Sequence, residues 1–260
     1  MIRREESDSI WVIHQATHAY VAGQIAEHWV GDGNMLVQPR DELIVAAYYH
    51  DTGWAATERQ PRVNAQGKPR TFTEMDLEEH FTIWQDSIYG VFAQNRYAGL
   101  LVSMHCSALY DQRLRYIDDP PDDKARVKAF LGARREWERA LIATLTDHPR
   151  YGLAVQSATL AHNLRLLQVW DYLSLLLCMG PVYEQVLEDV PFNEGQRDVL
   201  YVAAKGTRGL LLEPYPLDQS LTLWMDARQV MGGPFESDDA LQRALCDVPY
   251  KPLVFEVAPI

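Results

Sequence analysis

Cysteine is scarce in this chain of 260 residues: Cys106, Cys178 and Cys246 are an odd number, spaced too widely for a CxxC-type zinc site. A disulfide framework is therefore not expected, and the thiols fit a reducing compartment. Basic residues are also in short supply, with 24 Lys+Arg against 36 Asp+Glu and a net charge of −12. That balance excludes a general nucleic-acid binder, which needs a basic surface to release counterions. Long apolar runs are absent as well. Leu166–Met179 is the most apolar stretch, and it is too short to span a bilayer and carries Asp171. The first ten residues, MIRREESDSI, lack the apolar core of a signal peptide. Together these features point to a cytoplasmic protein with no membrane and no nucleic-acid partner.

Residues 1–182 read as helical. Ile10, Ile13, Tyr20, Val21, Ile25 and Trp29 have helix-like spacing over 9–30, before Gly31-Asp32-Gly33. A short helix starts at Asp41 and stops at Gly53. The polar stretch 55–76, with Pro61, Gly67 and Pro69, reads as a long loop, a kind of segment that is more often functional than idle. Helix resumes from Asp76 to about Tyr110, in two pieces broken near Gly90. Asp118-Asp119-Pro120-Pro121 opens another helix that runs to about Asp147, and a final one covers about Ala154–Met179 before Gly180-Pro181.

Composition shifts after that. Residues 183–260 hold 6 basic and 13 acidic residues. The short apolar runs Val199–Ala203, Leu210–Leu212, Ser220–Met225 and Leu253–Val257 read as strands, with a helix at Ser237–Leu245. The expected architecture is thus mainly α, a helical bundle over 1–182 with a small acidic β-containing subdomain over 183–260.

The residues with chemical potential are His18, His50, Asp51, His80, His105 and Asp171. His50-Asp51 follows the apolar run Leu43–Tyr49, which puts both side chains at the buried end of a helix. Asp171 is the single charge in Leu166–Met179, where apolar residues occupy nearly every direction. A buried carboxylate needs a partner: a metal, or a polar network with Gln168 and Ser174 on its own face. His18 shares the apolar face of the first helix with Val21, Ala22 and Ile25. His14, one turn earlier, offers an i, i+4 ligand pair with it, while His28 and His162 fit surface or packing roles.

In this order, THAYVAGQIAEHW around His18, DELIVAAYYHDTGW around His50-Asp51 and LRLLQVWDYLSLLLC around Asp171 resemble the HD superfamily of metal-dependent phosphohydrolases. With YAGLLVSMH and the C-terminal strands, the chain is similar to an uncharacterised bacterial branch, a domain of unknown function. The resemblance implies an HD-type helical bundle and one or two divalent transition metals: Fe, Mn, Zn, Co or Ni. It implies that His18, His50, Asp51 and Asp171 hold one ion. His80 and His105 then hold a second, and Asp51 bridges the two as the catalytic carboxylate. The implied activity is hydrolysis of a small, nucleotide-like phosphate ester by metal-activated water. A di-iron oxygenase and a non-catalytic metabolite sensor are the alternatives. Trp54 stands where many catalytic members carry Lys, and Cys106 and Ser107 stand where some two-metal members carry His or Glu.

Arg59, Arg62, Lys68 and Arg70 add four positive charges to a loop that has no acidic residue from Arg59 to Thr73. They read either as a solvated loop or as a cationic lid recruiting an anionic small-molecule substrate. A homo-oligomer is compatible with the sequence, which does not fix the oligomeric state.

Overall fold

The computed structural model describes all residues except 32–37, 181–183 and 194–195, together with the side chains of residues 193, 196 and 197. Asp32-Gly33, Pro181 and the expected boundary at 182/183 therefore lie outside the described residues. The chain begins with two strands, β1 (Ile2–Glu5) and β2 (Ser9–Ile13). Helices follow: α1 (Gln15–His28), α2 (Arg40–Tyr49), α3 (Trp54–Glu58), α4 (Leu77–Gln94), α5 (Arg96–Tyr116), α6 (Pro121–Leu145) and α7 (Ser157–Met179). The remainder is β3 (Gln185–Asn193), β4 (Gln196–Ala204), β5 (Gly209–Glu213), β6 (Leu221–Met231), α8 (Asp238–Cys246) and β7 (Tyr250–Pro259).

All seven strands form one sheet in the order β1-β2-β6-β7-β5-β4-β3. Its pairs are antiparallel except for the parallel β5–β7. This corrects the sequence expectation. The fold is mixed α/β with a curled seven-stranded sheet, not all-α and not an HD helical domain. The discrepancy is concentrated at residues 9–13. Ile10 and Ile13 are three apart and fit a helix, yet Ser9–Ile13 is a strand buried along its whole length. β2 lies between two cores and fills both. Trp11 and Ile13 enter the main core under the helices, whereas Ile10 and Val12 pack with Met1, Val230, Leu241 and Leu245 beneath α8. A strand buried on both faces shows no alternation, so periodicity cannot distinguish it from a buried helix turn.

Gly90 does not break α4, which runs on to Gln94. The break falls at Asn95, whose side chain caps α5 by accepting from the Ala98 N–H at 3.0 Å. The polar loop is also more ordered than its composition suggests. It contains α3, a bridge between Val63 and Pro69, and a 3₁₀ turn at Phe72–Glu74 closed by a Thr71/Glu74 capping box.

Helices α1, α2, α5 and α7 pack together, α1 and α7 against the sheet, with α4 against α2 and α5. The ends and faces of these five helices converge on one cavity.

Candidate metal centre

His50 caps the C-terminus of α2, and the chain then turns through Asp51-Thr52-Gly53 into α3. That turn presses onto α4. The Gly53 N–H donates to Ser87 Oγ at 2.9 Å, and a Cβ at residue 53 would collide with the Ile83 carbonyl oxygen and the Ser87 backbone. Glycine is required here for close approach, and its effect is to hold His50 and Asp51 at the buried end of the helix.

Five of the six expected ligands meet at this point. His18 arrives from α1, His105 from α5 and Asp171 from α7, and all five side chains are buried. His18 Nε2 lies 3.1 Å from Asp51 Oδ2 and 3.4 Å from Asp171 Oδ1. His50 Nε2 lies 3.3 Å from Asp171 Oδ1 and 3.7 Å from Asp51 Oδ2. His105 Nε2 sits 3.3 Å from the other oxygen, Asp171 Oδ2. Donors bonded at about 2.1 Å to a tetrahedral ion stand about 3.4 Å apart, so these separations suit a shared cation.

The outward-facing nitrogens set the tautomers. His50 Nδ1 donates to the Ala47 carbonyl at 2.9 Å. The Ser174 hydroxyl donates to the Asp171 carbonyl at 2.7 Å, so its oxygen accepts from His18 Nδ1, also at 2.7 Å. Both neutral rings therefore aim a bare Nε2 lone pair at carboxylate oxygens, an acceptor-to-acceptor arrangement that only a proton or a metal relieves. His50 Nε2 is buried without a hydrogen-bond partner among the described residues. The buried His18–His50–Asp51 group can hold a metal ion.

Without a cation, protons take that place. Burial pulls His50 toward its neutral form, but the Asp51 and Asp171 charges override it and lift its pKa to about 9. Burial likewise pushes both carboxyls up. His50 and His18 nevertheless hold Asp51 below its ordinary value, and His105 and His50 hold Asp171 well below.

His80 is the sixth expected ligand and stands apart. It lines the cavity from α4, where Tyr110 bonds its Nδ1 at 2.8 Å and the Trp54 ring lies 5.6 Å away. No Asp or Glu oxygen forms an ion pair with it among the described residues. Burial dominates, and lowers its pKa to about 4.

The four loop cations are placed away from the cavity wall. Arg59 is exposed at the end of α3. Arg62 reaches Glu79 at 3.7 Å, Lys68 pairs with Glu5 at 2.7 Å, and Arg70 pairs with Asp76 and Glu79 at 3.2 and 3.3 Å. Sequence reasoning did not select Tyr110, Trp84 or Arg113, which line the cavity with Trp54. Arg113 had one available signal, since it lies eight residues, about two helical turns, beyond His105 on the same face of α5.

The cavity has a volume of about 680 Å³ and opens to the surface. No helix among the described residues is long and apolar enough to cross a membrane. No curated protein and no solved structure matches the chain. A family described as a protein of unknown function, DUF3891, matches residues 1–231, which corrects the HD-superfamily expectation. That match spans all six histidines and aspartates singled out from the sequence, and the chain belongs to the DUF3891 family.

Proposed function

We propose that the protein is a metal-dependent hydrolase of a small phosphate ester, holding one divalent transition metal with His18, His50, Asp51 and Asp171. The observation that carries this reading is the pair of Nδ1-pinned imidazoles, which direct Nε2 at two buried carboxylates on the floor of a substrate-sized cavity. Imidazole and carboxylate without thiolate suit Mn, Fe, Co, Ni or Zn. Such an ion, when bound, supplies Lewis-acid polarisation of a phosphoryl oxygen and an acidified water.

The chain's own residues supply the rest. Ser174 and the Ala47 carbonyl fix the two rings, and His105 steers the Asp171 carboxylate through Oδ2. Asp51 and Asp171 together carry two negative charges, which neutralise a divalent cation. His80 faces the same cavity, and burial keeps its ring neutral at pH 7, so it serves a bound ester or water as an uncharged hydrogen-bond partner. Tyr110 orients that ring. Trp54 and Trp84 wall the site and restrict water.

The test is elemental analysis of protein purified without a metal-affinity tag, followed by release of phosphate from p-nitrophenyl phosphate under each metal. Expected are about one ion per chain and metal-dependent release that Asp51→Asn abolishes. A protein that takes up no transition metal would overturn the proposal.

A further inference from the structure

The wall of the cavity differs from its floor. One face of α5 runs from His105 through Leu109 to Tyr116, eleven residues or about 16 Å of helix, and all three line the cavity. At the outer end stand Leu109, Tyr116 and Ile117, which are 39%, 74% and 53% exposed. Large apolar side chains grouped at the rim of a cavity mark a surface that excludes water when a ligand covers it. Phe72, Met75 and Leu175 continue the apolar lining on other segments.

Positive charge is nearly missing. Among the described residues, Arg113 is the one Arg or Lys on the wall. Asp119 already takes Arg113 in two hydrogen bonds, Nε to Oδ2 at 2.6 Å and Nη2 to Oδ1 at 2.8 Å. Arg62 and Arg70 border a small neighbouring hollow that shares Trp54 and Met75 with the cavity, but both pair with Glu79, and Lys68 is held by Glu5. A nucleoside di- or triphosphate would add charge beyond that of the one phosphate on the floor, and the wall offers only the neutralised Arg113 to meet it.

We infer that the ester group is apolar and uncharged, so that the substrate is an alkyl or aryl phosphate whose phosphate sits on the floor and whose apolar part lies along α5 toward Tyr116 and Ile117. The inference rests on the hydrolase reading and narrows it. It departs from the nucleotide-like substrate expected from the sequence.

A series of n-alkylphosphonates, which carry the head group but cannot be hydrolysed, tests it on the metal-loaded full chain. Quenching of Trp54 and Trp84, both on the cavity wall, reports binding and calorimetry confirms it. Affinity should rise roughly two- to fourfold per methylene from methyl to octyl. The octyl-to-methyl ratio should fall at least tenfold in Leu109→Glu and in Ile117→Glu, two positions exposed enough to accept the change. Methylphosphonate binding with no gain along the series would overturn the inference and leave the hydrolase reading standing. Tighter binding of ADP than of octylphosphonate would also overturn it. If no phosphonate of any length binds the metal-loaded protein, the hydrolase reading fails and the inference with it.

Discussion

Ser174 accepts the His18 Nδ1 proton at 2.7 Å while giving its own to the carbonyl of Asp171, one turn earlier on α7. One hydroxyl thus sets the tautomer of one candidate ligand and ties it to the helix that carries another. Ser174→Ala removes that constraint with little change in volume. Metal affinity should fall by roughly tenfold to a hundredfold, read by competition with a chelator. An unchanged affinity would show that Ser174 only packs.

Chelation should lower the melting temperature. An ion that binds only the folded chain, present at a hundred times its Kd, adds about 2.7 kcal/mol. Asp171→Ala should lose both the metal and that response. Identical melting with and without metal would remove the centre's claim to a cation.

The pH dependence of the metal-free chain follows from the direction of each shift. His50 has its pKa raised from 6.5 to about 9, so its contribution to stability is complete below 6.5 and is lost as pH rises through about 9. Asp51 and Asp171 are shifted down from 3.8, so their contribution is present above 3.8 and is lost as pH falls through their lower native values. Denaturant unfolding with chelator present should therefore show stability declining from pH 6.5 to 9. Metal competes with the His50 proton, so metal affinity should rise over that same interval. A flat profile in the chelated protein would contradict the protonated cluster.

Gly53→Ala should cost on the order of 1–3 kcal/mol, because the added methyl meets backbone rather than a movable side chain. Chemical denaturation measures it. A methyl group at Gly132 would point into open space, and Gly132→Ala should not be destabilising.

His80→Gln should leave metal content intact and reduce phosphate release by on the order of tenfold, the loss of one hydrogen bond to the bound ester or water. Tyr110→Phe, which removes the 2.8 Å bond to the ring, should give a smaller loss. Loss of metal in either variant would instead make His80 a ligand.

The candidate site was far more legible than the fold. Asp171 stood out because a lone charge inside an apolar helix needs a partner, and His50-Asp51 because an apolar run delivers the pair to a buried helix end. Residue type and burial pattern were sufficient for both. The sheet was hidden for a different reason. The N-terminal hairpin of β1 and β2 joins the sheet through β6, more than two hundred residues away, and no local pattern reports such a pairing. The loop cations misled in the same way. Their charge is legible locally, but Glu5, Asp76 and Glu79, which neutralise three of them, lie outside the stretch from Arg59 to Thr73.

The register of β2 against β6, Ser9 with Met231 and Val12 with Arg228, also bears on the order in which the chain can fold. The β1–β2 hairpin is made before the helices, yet one edge of it stays unpaired until β6 has been made. Every candidate ligand from His18 to Asp171 is synthesised in that interval. Trp11 and Ile13, which enter the main core, belong to a strand whose second edge is paired only when that late strand arrives. The core that backs the centre is thus completed by a long-range strand pairing, the kind of contact whose loop-closure entropy slows folding. A fragment ending near residue 180 would keep every ligand but lose the strand that seats the hairpin under them.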